Sequence, residues 1–136
     1  MSQELGLEVQ VNLSHEESIS KVTEALKSQG FGVLTRIDID QAFKEKIGAD
    51  FRPYTILGAC NPKLAHAALS TDPKIGLMLP CNVTVEATEG GSLVRFTNPN
   101  LMMQMGGLDV GGTIENVAND AAERLSLVAV SLREAS

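Results

Sequence analysis

Cys60 and Cys81 are the two cysteines of the chain, and each is followed by an asparagine, in "GACNP" and "LPCNV". Asn61-Pro62 reads as a helix cap followed by the first helical residue. Cys60 is then expected just before a helix N-terminus, where unpaired amides and the dipole favour a thiolate, either as a nucleophile or as a soft ligand. The competing reading is a small apolar residue at a strand end, because free cysteine is among the most buried residue types. Cys81 falls by alternation with Ile75, Leu77, Val83 and Val85, which points it to the core unless a bulge at Pro80 turns it out. The spacing predicts that the two sulfurs share one neighbourhood at the sheet edge.

Cys60 and Cys81 are also the candidate metal ligands. His66 is the nearest imidazole, but it lies opposite Leu64, Ala65 and Ala68 on its helix and is expected to be exposed. Two cysteines and one histidine fall short of a closed zinc site. Met102, Met103 or Met105 would add soft sulfur suited to copper(I), although loop methionines also fill gaps in cores. No cofactor is predicted.

Asp50, Arg52 and Tyr54 alternate along an extended segment. Together they would hold a carboxylate or phosphate; the plainer reading is a structural ion pair. Asn61 and Asn82 complete the candidate ligand-binding set, with a helix cap and a local hydrogen bonder as their plain alternatives. The glycines at 106, 107, 111 and 112 form no dinucleotide-binding loop. His15 belongs to a first helical turn, where solvent exposure is expected. Neither a Ser-His-Asp order nor a paired-carboxylate motif stands out, so hydrolysis is not suggested.

These residues need elements to position them. Leu7, Val9, Val11 and Leu13 alternate with polar residues, a half-buried strand. Ser14 and Glu17 form a capping box, Ile19, Val22 and Leu26 line one helical face, and Gly30 supplies the stop. The pattern continues with a strand from Phe31 to Ile37 and a short helix capped by Asp38 or Asp40. A strand from Tyr54 to Cys60 and a short helix opening at Pro62 follow. Ile75 to Glu86 reads as one long strand, and a turn at Glu89-Gly90-Gly91-Ser92 leads into a hairpin partner. Asn98 to Gly112 reads as a loop holding at most one helical turn. Ile114, Val117, Ala118, Ala121, Leu125, Val128, Ala129 and Leu132 keep helical spacing to the end. An α+β domain follows: one mostly antiparallel sheet with the long helices on one face and short helices in the connections.

The whole chain, 1–136, is expected to be a single domain with a core of ordinary size. A formal net charge of −6 argues against a nucleic-acid partner and against docking on anionic lipid. Neither an export signal nor a membrane-length apolar run is visible, and free thiols fit a reducing cytoplasm.

The run from Asp50 to Pro62, "DFRPYTILGACNP", resembles the hallmark of the family catalogued as domain of unknown function 302. A second hallmark is similar to "IGLMLPCNV", Ile75 to Val83. The resemblance spans nearly the whole chain. It implies a β-α-β4-α fold of the TATA-binding-protein-like kind and a homodimer, with no established activity. Leu127 and Val130 on the outer flank of the last helix, with Met78 and Leu93 on the strands' second faces, also point to self-association. Two functions are expected. One is a homodimeric binding module with a pocket near the two Cys-Asn motifs, taking a small molecule or metal. The other is a thiol enzyme or sulfur carrier, with Cys60 attacking and Cys81 resolving.

Overall fold

The computed structural model describes residues 4–105 and 112–135. Strand β1 (Gly6–Val11) turns its Val9 and Val11 inward and passes through Ser14 into helix α1 (His15–Ser28). The capping box forms in both directions: the Glu17 amide donates to Ser14 Oγ and the Ser14 amide donates to the Glu17 carboxylate, each at 3.2 Å. Beyond α1 the chain passes Gly30, at φ 83°, into β2 (Gly32–Asp38), whose register shifts between Val33 and Thr35. Helix α2 (Ile39–Ile47) ends at Gly48, at φ 65°. Neither aspartate caps α2 through its side chain; Asp40 accepts instead from the Tyr54 amide at 3.1 Å. Strand β3 (Tyr54–Cys60) and helix α3 (Pro62–Thr71) follow.

The expectation of one strand from Ile75 to Glu86 needs correction. Pro73–Met78 is a 3-10 helix, opened by Asp72, which accepts from the Lys74 amide at 3.0 Å. The 3-10 turn buries Ile75 completely and leaves Leu77 90% exposed, which a shared strand face would not allow. Strand β4 (Cys81–Thr88) begins after a cis Leu79–Pro80 peptide. Its hairpin partner β5 (Gly91–Thr97) leads to helix α4 (Pro99–Met105), longer than the single turn expected there; residues 106–111 of that expected loop lie outside the described residues. Helix α5 (Thr113–Ala135) closes the chain.

The five strands form one antiparallel sheet in the order β1-β5-β4-β3-β2. Helices α1 and α5 pack on one face of it. Their Val22, Leu26, Leu125 and Val128 meet Val9, Val83, Val94 and Phe96, all 2% exposed or less. A smaller cluster of Ala68, Ile75 and Ile114 joins α3, the 3-10 helix and α5.

The other face carries charge. Glu8 on β1, Arg95 on β5, Glu86 on β4 and Arg52 just before β3 form a continuous row of ion pairs. Arg95 lies 2.7 Å from each neighbouring carboxylate. The Glu86 side chain is only 11% exposed, and hydrogen bonds from Arg95 and Arg52 hold its carboxyl below the usual range. A depressed carboxyl stabilises the fold above its unfolded value of 4.5, and that contribution is lost as pH falls through the folded value. Glu86→Gln should therefore cost about 1 kcal/mol at pH 7, at the modest end because both arginines are partly exposed. Its stability should also fall less steeply than the wild type's between pH 5 and 3, on the order of one titrating group, in denaturant titrations. Parallel acid profiles would show that the row contributes nothing to folding.

Candidate functional site

Strand β3 pairs with β4 so that Ala59 stands opposite Cys81, and with β2 so that Cys60 stands opposite Gly32. Both cysteines therefore lie at the same end of the sheet, and neither forms a disulfide. Gly58 is what lets the chain close there: a methyl group at that position would lie 2.7 Å from Pro80 Cγ. Directly after Cys60, the Asn61 side chain accepts from the Leu64 amide at 3.2 Å and Pro62 opens α3, so the strand-to-helix joint forms as the sequence predicts.

Cys60 and Cys81 both line one small cavity, walled also by Asn61 and by Leu79, Met103 and Val117. Its volume is about 30 Å³, and the lining is mostly apolar. That space suits one or two water-sized atoms. It is far below the roughly 300 Å³ at which pockets for organic ligands begin. Burial pushes the Cys81 thiol up to about 11, with the nearby charge of Cys60 adding to the effect. Cys81 is thus a neutral thiol at physiological pH, facing the core side as its alternation predicts.

The other candidate residues do not gather here. Asn82, opposite Gly58, projects to the other sheet face. His66 is exposed on α3 and does not line the cavity. Met105 is 69% exposed, and of the three methionines only Met103 lines the cavity. Arg52 and Tyr54 are at the opposite end of β3. The expected Asp50-Arg52-Tyr54 grouping separates as well. Asp50 pairs with Lys44 at 2.8 Å, while Arg52 pairs with Glu86 and stacks 4.4 Å above the Phe51 ring. The structural ion pair exists, with Glu86 as its acid. Among the described residues, no three His, Cys, Asp or Glu side chains converge to hold a metal ion.

His15, expected in solvent, is instead turned inward. Its Nε2 lies 2.8 Å from Thr55 Oγ1, which itself donates to Asp38 Oδ1 at 2.8 Å. An ionised carboxylate only accepts, so the hydroxyl proton goes to Asp38 and His15 donates through Nε2. His15 Nδ1 is shut off from solvent and has no hydrogen-bond partner among the described residues. Burial opposes the charge on Asp38, but hydrogen bonds from Thr55 and Arg36 outweigh it and keep that carboxyl below its ordinary value. Thr55 is completely buried, so the chain of contacts ties α1 to β3 and β2 and offers no nucleophile. Helix periodicity held a signal for this: His15 stands three, four and seven residues before Ser18, Ile19 and Val22 and so shares the inward face of α1.

A family model described as "Domain of unknown function DUF302" matches residues 7–132. No curated protein matches the chain. Among solved structures, it is similar to an uncharacterized conserved protein of the same family from Bacillus stearothermophilus, with 29% identity and a TM-score of 0.85. The match covers 95% of this chain and 98% of the other.

Two outcomes follow from the cysteine geometry. In a Cys60→Ser variant, iodoacetamide should label Cys81 at least about tenfold more slowly at pH 8 than an unstructured peptide thiol, because so little of it is thiolate. A raised thiol value contributes stability that is full below the unfolded value of 9.0 and is lost as pH rises towards about 11. The stability of the wild type relative to Cys81→Ser should decline across that window in urea titrations; a constant difference would place Cys81 in water.

Proposed function

From the premise that the chain belongs to the DUF302 family, whose description assigns no activity, we propose a reading drawn from the site itself: a homodimeric binding module whose seat is the cavity between Cys60-Asn61 and Cys81. The observation that carries it is that Cys60, Cys81 and Met103 all line one space of about 30 Å³. A metabolite does not fit such a space, whereas a single soft ion does. Thiolate and thioether sulfur select copper(I) over harder cations. Zinc asks for three or four protein ligands, which this end of the sheet lacks among the described residues. Copper(I) accepts two thiolates in a linear arrangement. Binding one ion would release the thiol protons of Cys60 and Cys81, so apparent affinity would rise with pH. Asn82, His66, Arg52 and Tyr54 have no part in this seat.

A thiol enzyme or sulfur carrier has weaker support. Resolution by Cys81 needs its thiolate, and burial holds that group protonated well above neutral pH. Among the described residues no helix is long and apolar enough to cross a membrane. The formal charge of −6 and the pairing of Arg52 and Arg95 with carboxylates speak against nucleic acid.

Anaerobic titration with copper(I) against a competing chelator tests the proposal. One ion per chain is expected, with affinity reduced at least a hundredfold in Cys60→Ser or Cys81→Ser and about tenfold in Met103→Leu. Retention by the double serine variant, or no binding by the wild type, would overturn it.

A further inference from the structure

Helices α1 and α5 pack on one side of the sheet and the charged row lies on the other, and we propose that this second face is where two copies of the chain meet, about a two-fold axis crossing the row at right angles. The inference rests on the homodimer proposed above and names its surface. It does not depend on the copper seat.

The charge order carries the argument. From β1 towards β3 the row reads Glu8, Arg95, Glu86, Arg52, or minus, plus, minus, plus. An alternating row with an even number of members is complementary to its own reversal. A two-fold axis lying in the contact plane and crossing the row reverses it. Glu8 then faces the partner subunit's Arg52, and Arg95 faces the partner subunit's Glu86, each contact occurring twice. An axis along the row would instead set like charges over one another and repel. Electrostatic complementarity of this kind selects register as well as partner. The ends of the row keep enough exposure to reach a second copy: the Glu8 and Arg52 side chains are 59% and 54% exposed.

Apolar surface accompanies the row. Ile56 and Leu93 project from the same face half-buried, and Ile37 at the β2 edge is 48% exposed. Met78, expected to add to this face, lies in the 3-10 helix instead. The outer flank of α5 is the competing surface, with Leu127 and Val130 about half exposed, but the Asp120–Arg124 ion pair beside Leu127 offers a row of only two charges.

Charge exchange at the two ends of the row tests the proposal in the full chain. Glu8→Arg alone, or Arg52→Glu alone, creates two like-charge contacts by symmetry. Each should raise the dimer dissociation constant about tenfold or more in sedimentation experiments at low salt. The double variant E8R/R52E reads plus, plus, minus, minus, which is again complementary to its reversal, so dimerisation should return. Within each subunit the same double exchange leaves Arg beside Arg95 and Glu beside Glu86, so improved folding cannot account for a rescue. Melting curves confirm that each variant is folded; if a reversal fails to fold, Glu8→Gln and Arg52→Gln probe the same contacts with smaller expected losses. A dimeric wild type whose variants dimerise equally well, or a double variant without rescue, overturns this face and leaves the homodimer. A wild type that stays monomeric at tens of micromolar overturns the homodimer itself.

Discussion

The antiparallel register of β3 on β4 governs both ends of this molecule. Ala59 opposite Cys81 brings the two thiols to one end, and Tyr54 opposite Glu86 brings Arg52 within reach of that carboxylate at the other. A slip of one residue in either strand would turn Leu57 or Val83 to the open face and replace it in the core with Ile56 or Gly58, or with Asn82 or Thr84. Apolar burial against α1 and α5 therefore holds the register, and the register places the chemistry. The cysteine cavity is a by-product of packing that has been kept small by the same packing.

The enclosure has opposite effects on the two properties a thiol site needs. Burial among walls that include Leu79, Met103 and Val117 raises the cost of a thiolate at Cys81. The walls also exclude carbon-framed ligands by size. An occupant must therefore be small and soft enough to replace a thiol proton while keeping its bonds to sulfur. Asn61 contributes to the geometry through its cap: by fixing the first turn of α3, it settles the direction in which the chain leaves Cys60. Gly58 contributes by allowing Pro80 close to β3 where the chain enters β4.

Placing α1 and α5 on one side leaves the other face to a row of long charged side chains beside Ile56 and Leu93. Glu86 is buried there between two arginines, and the row of four charges satisfies groups that would otherwise be costly to cover. His15, Thr55 and Asp38 do comparable work on the helical side, where they join three elements through two hydrogen bonds. Polar contacts on both faces thus fix directions that apolar packing alone leaves loose.

Much of the backbone was determined locally. The capping box at Ser14, the Asn61-Pro62 helix start, the stop at Gly48 and the long spacing pattern of α5 are each written in a few adjacent residues, so the sequence alone specified those elements and the fold class. Ile75 to Leu79 was not legible in this way, because alternation on paper is the same whether a segment pairs in a sheet or turns as a 3-10 helix. Asp72-Pro73 decided it by capping, and the partly separate cluster with Ala68 and Ile114 gave Ile75 its place. The sequence also marked Cys60 and Cys81 as a pair. Only the tertiary structure decided that Met103 joins them while His66 and Asn82 do not, that Arg52 takes Glu86 over Asp50, and that His15 meets Thr55. Those choices depend on strand register and helix docking between residues far apart in the chain, and no local pattern encodes a distance between them.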